Sequence, residues 1–366
     1  MKKKNKRLLA GVIGAAVVAL VLAMSGGREE VSDKPVVRIG AILPLTGDMA
    51  HTGSFVRKGI EFAIDDVNKN PHNKFFYRAV FEDNRQEARQ TVPLANKLVF
   101  GDRVNMLMTF FSASARAAEP VITANRIIGM HGTPVVDILD GVYNFTLFYQ
   151  SSEVARGASE FANARRSKRV ALALQQSGTI LELVGDLRAR IKGETREFAI
   201  NRGERDFKML VRNIKEWNPD IIMISAGSPE IEIFIREMRL QGVSATMLGL
   251  DSISHTGNTE VLEGFYILSS PFGDEKFLAR FGHGTVMTLY APYFYDAVKI
   301  FADATERAGA ASGGVVPSGA AISAEIHKVG EFDGILGRMT ISPRGAFLSK
   351  MVLYKIENGK LIRLKE

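Results

Sequence analysis

The chain of 366 residues contains no cysteine and only six histidines. Without cysteine there are no disulfides, no thiol catalysis and no thiolate metal sites. The histidines are scattered and form no pair at metal-ligand spacing: His51, His72, His131, His255, His283 and His327. The nucleophile motif G-x-S-x-G and the phosphate-binding motif G-x-x-x-x-G-K-[ST] are also absent. We therefore expect that the protein is not an enzyme and binds neither a cofactor nor a metal. A secreted hydrolase is the least favoured class, because no activated nucleophile can be assembled.

The body of the chain also lacks a long basic block. Residues 1–7 carry five cations and no acid, so this leader supplies +5 of the formal net charge of +7 and leaves +2 for residues 28–366. The densest basic run of the body, residues 165–169, lies between a predicted helix and a predicted strand, which favours a solvated turn. Nucleic-acid binding is therefore not expected.

The first 27 residues have the pattern of a secretory signal peptide. A basic start is followed by the uncharged residues 8–24 and then by the small residues 25–27. We expect export to the periplasm or another extracytoplasmic compartment, with cleavage after Ala23 or Ser25. An uncleaved anchor is the alternative, because the apolar run approaches the roughly 17–25 residues of a membrane-spanning helix. Gly27 stands where a bacterial lipoprotein has its lipidated cysteine, so lipid attachment is not expected.

Residues 36–68 are the most informative part of the sequence. A run of buried-strand character ends at Pro44, a loop rich in Gly and Thr follows, and a helix is predicted from Ser54 by apolar residues at helical spacing. Strand, polar loop and helix are the opening half of a βαβ unit. In such units ligands bind at the carboxyl ends of the strands, where this loop lies.

The rest of the chain repeats this alternation, and its length of about 340 residues indicates two domains. Further strands are predicted over residues 76–81, 104–108, 127–130, 170–174, 221–224, 246–250 and 265–268. Helices are predicted over residues 87–99, 114–124, 151–164, 181–191, 207–217, 230–241 and 293–308. Residues 309–319 are predicted to form a loop, and Asn358-Gly359 indicates a hairpin turn near the end.

An ordered series of short motifs extends over this region. It includes I-G-x-x-x-P-L-T-G from Ile39, K-G-I-E from Lys58, T-P at Thr133, P-D-x-I from Pro219 and F-D-G-I-L-G from Phe332. In these motifs and their spacing the chain resembles type 1 periplasmic binding proteins. The resemblance is to the leucine/isoleucine/valine- and amide-binding branch that serves ABC transporters, and it covers the sequence from Val36 to the end.

The resemblance implies an α/β fold of two Rossmann-like lobes with parallel sheets, joined by three hinge crossovers. Lobe one would comprise residues 36–147 plus 271–330, and lobe two residues 148–270 plus 331–366. A small molecule would bind in the cleft between the lobes, which close around it by a hinge motion. The implied function is that of a monomeric solute-binding protein of an ABC importer, with a permease in the inner membrane as partner. The alternative is a ligand-sensing or cell-envelope scaffold protein on the same fold, without a transport role.

The resemblance places ligand contacts of lobe one after two predicted strands. Either Ser112 or Ser114 would contact the ligand, although a serine at this position is also an ordinary helix N-cap. Val135 and Asp137 follow Thr133-Pro134, where relatives that bind amino acids present backbone and hydroxyl donors to a carboxylate. A carboxylate cannot donate to another carboxylate. Asp137 therefore either points away from the ligand or meets a cationic or hydrogen-bond-donating group.

The remaining candidates are Thr52, Ser177, Gly227 and Asp251. Asp251 aligns with the acidic residue that holds the ligand's ammonium group in relatives, although it is also a credible helix N-cap. Thr52, Ser177 and Gly227 stand at or near positions where relatives commonly carry aromatic residues. These three departures argue against a branched-chain amino acid and fit an aromatic acid, an amide or a polyamine better. The expected ligand class is a small amino-acid-like or amide/aromatic solute. Nearby aromatic residues either replace the missing pocket walls or belong to the core: Phe110, Phe111, Tyr149 and Phe272.

Overall fold

Strands and helices alternate along the chain, as the sequence predicts. The structure is a computed structural model that describes residues 33–175, 178–250, 259–271, 273–281, 290–311 and 313–364. The strands are β1 Val36–Leu43, β2 Phe76–Asp83, β3 Met106–Phe110, β4 Ile128–Gly132, β5 Asn144–Thr146, β6 Arg169–Gln175, β7 Glu194–Ile200, β8 Ile221–Ser225, β9 Thr246–Leu250, β10 Tyr266–Ser269, β11 Glu331–Gly334, β12 Gly337–Ile341, β13 Phe347–Ser349, β14 Val352–Glu357 and β15 Lys360–Arg363. The helices are α1 Ala50–Asn68, α2 Ala88–Asn96 with a π-helical turn Lys97–Gly101, α3 Ser112–Asn125, α4 Ser151–Ala164, α5 Gly178–Arg190, α6 Lys208–Trp217, α7 Glu230–Leu240, α8 Glu275–Ala279, α9 Ala291–Ala308 and α10 Gly319–Val329.

The predicted leader, residues 1–27, lies outside the described residues. Cleaved signal peptide and uncleaved anchor therefore both remain predictions from the sequence. No helix in the described ranges has both the length and the apolar character needed to cross a membrane.

The first sheet consists of five parallel strands in the order β2-β1-β3-β4-β5. Its central strands are almost wholly buried, because apolar residues occupy both faces, as is usual for parallel sheets covered by helices. Helices α1 and α9 pack against each other beside this sheet. Gly59 of α1 makes this approach possible, since a Cβ at this position would meet the backbone carbonyl of Ala291 at 2.6 Å.

Helix α1 corrects one prediction from the sequence. The helix begins at Ala50 rather than near Ser54, and Thr52 and Gly53 are buried in its first turn rather than placed in a loop. A Cβ on Gly53 would collide with the carbonyl oxygen of Pro44. The glycine that suggested a loop is therefore required inside the helix, because it lets the first turn lie directly against the chain that leaves β1.

The second sheet has seven strands in the order β15-β14-β10-β9-β8-β6-β7. Strands β6 to β10 run parallel, whereas β14 and β15 join antiparallel at one edge. Asn358 and Gly359 have positive φ angles of 55° and 70° between β14 and β15, so the predicted hairpin turn is confirmed.

A third, three-stranded antiparallel sheet, β11-β12-β13, was not predicted from the sequence. Its first turn is held by Asp296 of α9, which accepts backbone N–H bonds from Ile335 at 3.1 Å and Leu336 at 2.9 Å. A bridge between Thr146 and Ala346 connects it to the end of β5. The division of the chain into two lobes remains a prediction.

Candidate ligand-binding site at the strand ends

The loop after β1 is held in place by a carboxylate from the neighbouring strand. Asp83, at the end of β2, accepts bonds from the backbone N–H of Leu45 at 2.9 Å and from the hydroxyl of Thr46 at 2.5 Å. Partial burial opposes ionisation, but the bonds from Thr46, Arg85 and Leu45 outweigh it and lower the pKa of Asp83. Thr46 of the P-L-T-G motif therefore fixes the shape of the loop.

Ser112 and Thr133 meet at the ends of the adjacent strands β3 and β4. Helix α3 begins at Ser112, immediately after β3, and its Oγ lies 2.8 Å from Thr133 Oγ1. Thr133 is fully buried and also accepts the backbone N–H of Val135 at 3.2 Å. Ser112 itself is partly exposed. The structure thus brings a partly accessible hydroxyl to the start of a 14-residue helix.

Ser114 has a different environment. Its side chain is buried, and its Oγ accepts a hydrogen bond of 2.9 Å from Asn84 Nδ2. Asn84 is also buried, and its backbone N–H is bonded to the carbonyl of Leu43 at the end of β1. Ser114 therefore links helix α3 to the ends of the first two strands.

The backbone between β3 and α3 is strained at Phe111. This residue has a φ of 72° and a ψ of 148°, a combination that is unfavourable for residues with a side chain. Its ring stacks on Phe110 with the ring centroids 4.0 Å apart. The turn that presents Ser112 is thus held in a costly conformation by the packing around it.

Asp137 is exposed and forms an ion pair with Arg116 of helix α3, with 2.9 Å between Nε and Oδ2. The side chains of Arg116 and Asp137 are 52% and 58% exposed, so this pair contributes little to stability. Val135 lies two residues earlier but is buried in a small apolar cluster with Ala115, Ile138, Leu139 and Ala346. The two residues predicted as neighbouring ligand contacts therefore differ sharply in exposure.

The other predicted site residues are distributed as follows. Thr52 is buried in the first turn of α1. Gly227 follows β8, and its N–H donates to Gln175 Oε1 at the end of β6, at 3.1 Å. Ser177 and Asp251 lie outside the described residues, so their predicted roles rest on the sequence alone.

His131 is a buried residue of β4. Its Nδ1 lies 2.8 Å from the hydroxyl of Thr109, and its Nε2 lies 3.1 Å from Asn144 Oδ1. Burial lowers the pKa of His131 to about 4, so the ring is neutral at pH 7. Across the part of the chain that the structure describes, no group of three or more His, Asp or Glu side chains is arranged to hold a metal ion.

Aromatic side chains form a packed cluster beside the strand ends. Phe148, which follows β5, stacks on Tyr290 with centroids 5.3 Å apart and contacts Tyr293 at 4.5 Å. Phe110 and Tyr149 are 1% and 5% exposed, which places both in the core. Phe111 is partly exposed, and Phe272 lies outside the described residues.

Asp83 and Asn84 were missed in the sequence. Asp83 is the last residue of β2 and Asn84 follows it, at the same edge of the sheet as Ser112 and Thr133. An Asp-Asn pair at the carboxyl end of a parallel strand is a usable signal, because polar residues there face the ligand-binding edge. These two residues organise the loop and the helix start on which the site depends.

Comparison with known proteins agrees with this geometry. Residues 36–360 match the family described as periplasmic binding protein. The Leu/Ile/Val-binding protein BraC3 of Rhizobium johnstonii is 25% identical over 350 residues, which cover 89% of this chain and 93% of BraC3. The structure of LivJ from Streptococcus pneumoniae in complex with isoleucine has a TM-score of 0.76 at 19% identity and covers 90% of this chain and 100% of LivJ. A solute-binding protein of an ABC transporter from R. palustris, in complex with benzoate, has a TM-score of 0.74 at 16% identity and covers 90% of this chain and 95% of that one.

The family match spans most of the chain. The chain also has the same fold as these two solved structures. The chain belongs to the type 1 periplasmic binding protein family, in the branch that contains the Leu/Ile/Val-binding proteins.

Proposed function

We propose that this protein is the extracytoplasmic solute-binding component of an ABC importer. It binds a small amino-acid-like or aromatic solute between its two lobes and delivers it to a permease in the inner membrane. The observation that carries this proposal is the position of Ser112, at the first residue of α3 and within hydrogen-bond distance of Thr133.

The chemistry of this position suits a carboxylate. The first turn of a helix has backbone N–H groups without partners inside the helix, and the helix dipole adds a partial positive charge there. A hydroxyl at the same end supplies a further donor, which makes the position favourable for an anion. Thr133 holds the Ser112 hydroxyl in place from the neighbouring strand.

The ligands of the structural neighbours support the same group. One neighbour binds isoleucine and another binds benzoate. These molecules share a carboxylate and an apolar body, but only isoleucine has an ammonium group. Asp251 would serve an ammonium group, so the choice between amino acid and aromatic acid depends on the part of the site that the sequence alone assigns.

Export is the second requirement of the proposed function. The basic, apolar and small-residue segments of the first 27 residues support secretion, and their order is that of a signal peptide. Membership of the family supports the two lobes and their hinge closure as part of the proposal.

The serines of α3 provide the test. Ser112→Ala is expected to weaken ligand binding about tenfold or more, because it removes a hydrogen bond to a charged group. Loss of the bond to Thr133 is expected to lower the unfolding free energy by about 1 kcal/mol. Ser114→Ala is the matched control. It removes the buried partner of Asn84 and is expected to lower the unfolding free energy by about 1–3 kcal/mol while leaving the ligand affinity unchanged.

Both variants would be measured by urea unfolding and by calorimetric titration with a ligand that binds the unmodified protein. Equal affinities of Ser112→Ala and the unmodified protein would contradict the assignment. Loss of affinity in Ser114→Ala alone would transfer the role to the buried serine.

A further inference from the structure

A cavity lies at the end of the seven-stranded sheet where its parallel strands begin, away from their carboxyl ends. It has a volume of about 370 Å³ and is formed at the starts of β9 and β10, below the end of helix α7. This volume is within the range of about 300–1,000 Å³ that is usual for small-molecule sites. The cavity does not involve the strand ends that carry the proposed function.

The lining of this cavity is mixed, with an apolar floor and polar and charged residues at the rim. Ile235 and Met238 of α7 are each 1% exposed, and Phe265 is 3% exposed. Val243 and Met247 are partly exposed and complete the apolar lining. The three buried side chains close the floor of the cavity, and Val243 and Met247 offer the accessible surface on which the apolar part of a ligand would be removed from water.

The rim of the cavity carries charges of both signs. Two cations, Arg239 and Lys355, and one carboxylate, Glu263, contribute to the lining. The two oxygens of Glu263 accept the backbone N–H groups of Asn358 at 2.8 Å and Gly359 at 2.9 Å, and these bonds lower the pKa of Glu263. The acidic group of the lining is therefore bonded to the hairpin between β14 and β15.

Arg239 and Lys355 each have a partner in the structure, and each retains N–H donors for a ligand. Arg239 donates one bond of 3.1 Å to the carbonyl of Glu263, and a guanidinium group has five N–H donors. Lys355 pairs with Glu357 at 2.7 Å in a partly exposed ion pair, of a kind that contributes little free energy and that a bound anion can replace. Lys355 also lies 5.6 Å from the ring of Tyr266, which has Arg165 at 4.9 Å.

We infer that this cavity, between α7 and the starts of β9 and β10, is a second binding site for a small amphipathic anion. The apolar body of the ligand lies against Met238, Val243 and Met247, and its anionic group lies at Arg239 and Lys355. Charge-assisted hydrogen bonds to a guanidinium or ammonium group are the contacts that select an anion over a neutral molecule of the same shape.

The probe for this site is 8-anilinonaphthalene-1-sulfonate, and its uncharged counterpart is N-phenyl-1-naphthylamine. Binding would be followed by NMR of ¹³C-labelled methionine methyl groups in the full protein. Met238 and Met247 line the cavity, whereas Met106 is buried in the other sheet and reports on nonspecific change. We expect saturable shifts of Met238 and Met247 but not of Met106, and an affinity for the uncharged probe that is at least about tenfold lower.

Two variants and a control locate the binding. Ala245→Phe places a large side chain in the lining, and Arg239→Gln removes a cation from the rim; each is expected to weaken probe binding about tenfold. Arg236→Gln alters an exposed arginine of the same helix that does not line the cavity, and its affinity should stay within about twofold of the unmodified protein. Arg239→Gln is a surface change, so it serves if Ala245→Phe does not fold.

Absence of shifts at Met238 and Met247 at high probe concentration would overturn the inference. Equal affinity for the charged and uncharged probes, or equal effects of Arg236→Gln and Arg239→Gln, would also overturn it. Because the probe is read at these two methionines, the result is independent of whether a solute binds at Ser112.

Discussion

Asp296 shows how one residue makes stability depend on pH. Its side chain is 1% exposed and accepts the backbone N–H groups of Ile335 and Leu336, which close the turn between β11 and β12. Burial raises the pKa of Asp296 to about 7, and the two backbone bonds only partly oppose this shift. A Cβ on Gly334 would collide with this carboxylate, so the turn and the helix are built around it.

The raised pKa predicts the direction of the pH dependence. Between about pH 4 and pH 7 the folded state keeps a proton on Asp296 that the unfolded state has lost. The contribution of Asp296 to stability is therefore complete at low pH and falls by up to about 1.4 kcal/mol per pH unit as the pH rises to 7. In urea unfolding, the difference in stability between the unmodified protein and Asp296→Asn should fall over this range and become constant above it. A difference that is independent of pH would contradict the assignment.

The sequence predicts only in part which residues are accessible at the candidate site. The sequence places Ser112 and Ser114 equally well at the start of a helix and leaves the choice open. Their environments differ because Asn84, distant in the sequence, bonds to Ser114, whereas Thr133 bonds to Ser112. Such a choice depends on contacts between strands, and no local pattern encodes it.

Helix α1 carries the clearest consequence at the scale of an element. Its first turn approaches the chain after β1 so closely that only glycine is accommodated at Gly53. Gly185 is an exposed interior residue of α5, and no atom lies within 4 Å of the position that an added Cβ would take there. The two helical glycines therefore provide a matched comparison.

We expect Gly53→Ala to lower the unfolding free energy by about 1–3 kcal/mol, because the added methyl group forces the loop after β1 away from the helix. Gly185→Ala is expected to raise it by up to about 1 kcal/mol, since alanine favours the helix and meets no obstacle. Thermal or urea unfolding of both variants checks this pair. If Gly53→Ala were as stable as Gly185→Ala, the close contact with Pro44 would be wrong.

Elements with strong periodicity or two buried faces were the predictable ones. Helix α4 and strand β9 have the predicted bounds, whereas β3 begins two residues later than predicted. Strand β7 was not predicted, because it is an edge strand in which most residues are polar and most are exposed. Helix α10 was also missed, because it follows a Gly- and Ala-rich stretch and its buried apolar contacts are few, chiefly Ile322 and Ile326.

For the whole molecule, the motifs predicted the family and its fold better than its ligand. Glycines and a proline at fixed spacing report close backbone approaches, such as those of Gly53 and Gly59, which recur wherever the same elements pack. The residues that contact the ligand remain a prediction. Among the predicted residues, Ser112 and Gly227 lie within the described part of the chain, whereas Ser177 and Asp251 are assigned by sequence alone.

The proposed function requires that the whole protein capture one small solute and close around it. Thermal unfolding combined with small-angle scattering of the purified protein, across a panel of amino acids, amides and aromatic carboxylic acids, tests this requirement directly. We predict at least one ligand that stabilises the protein, by about 2.7 kcal/mol at 100 times its Kd, and that also reduces the radius of gyration. A panel in which no compound changes either the melting temperature or the scattering curve would contradict the proposed function.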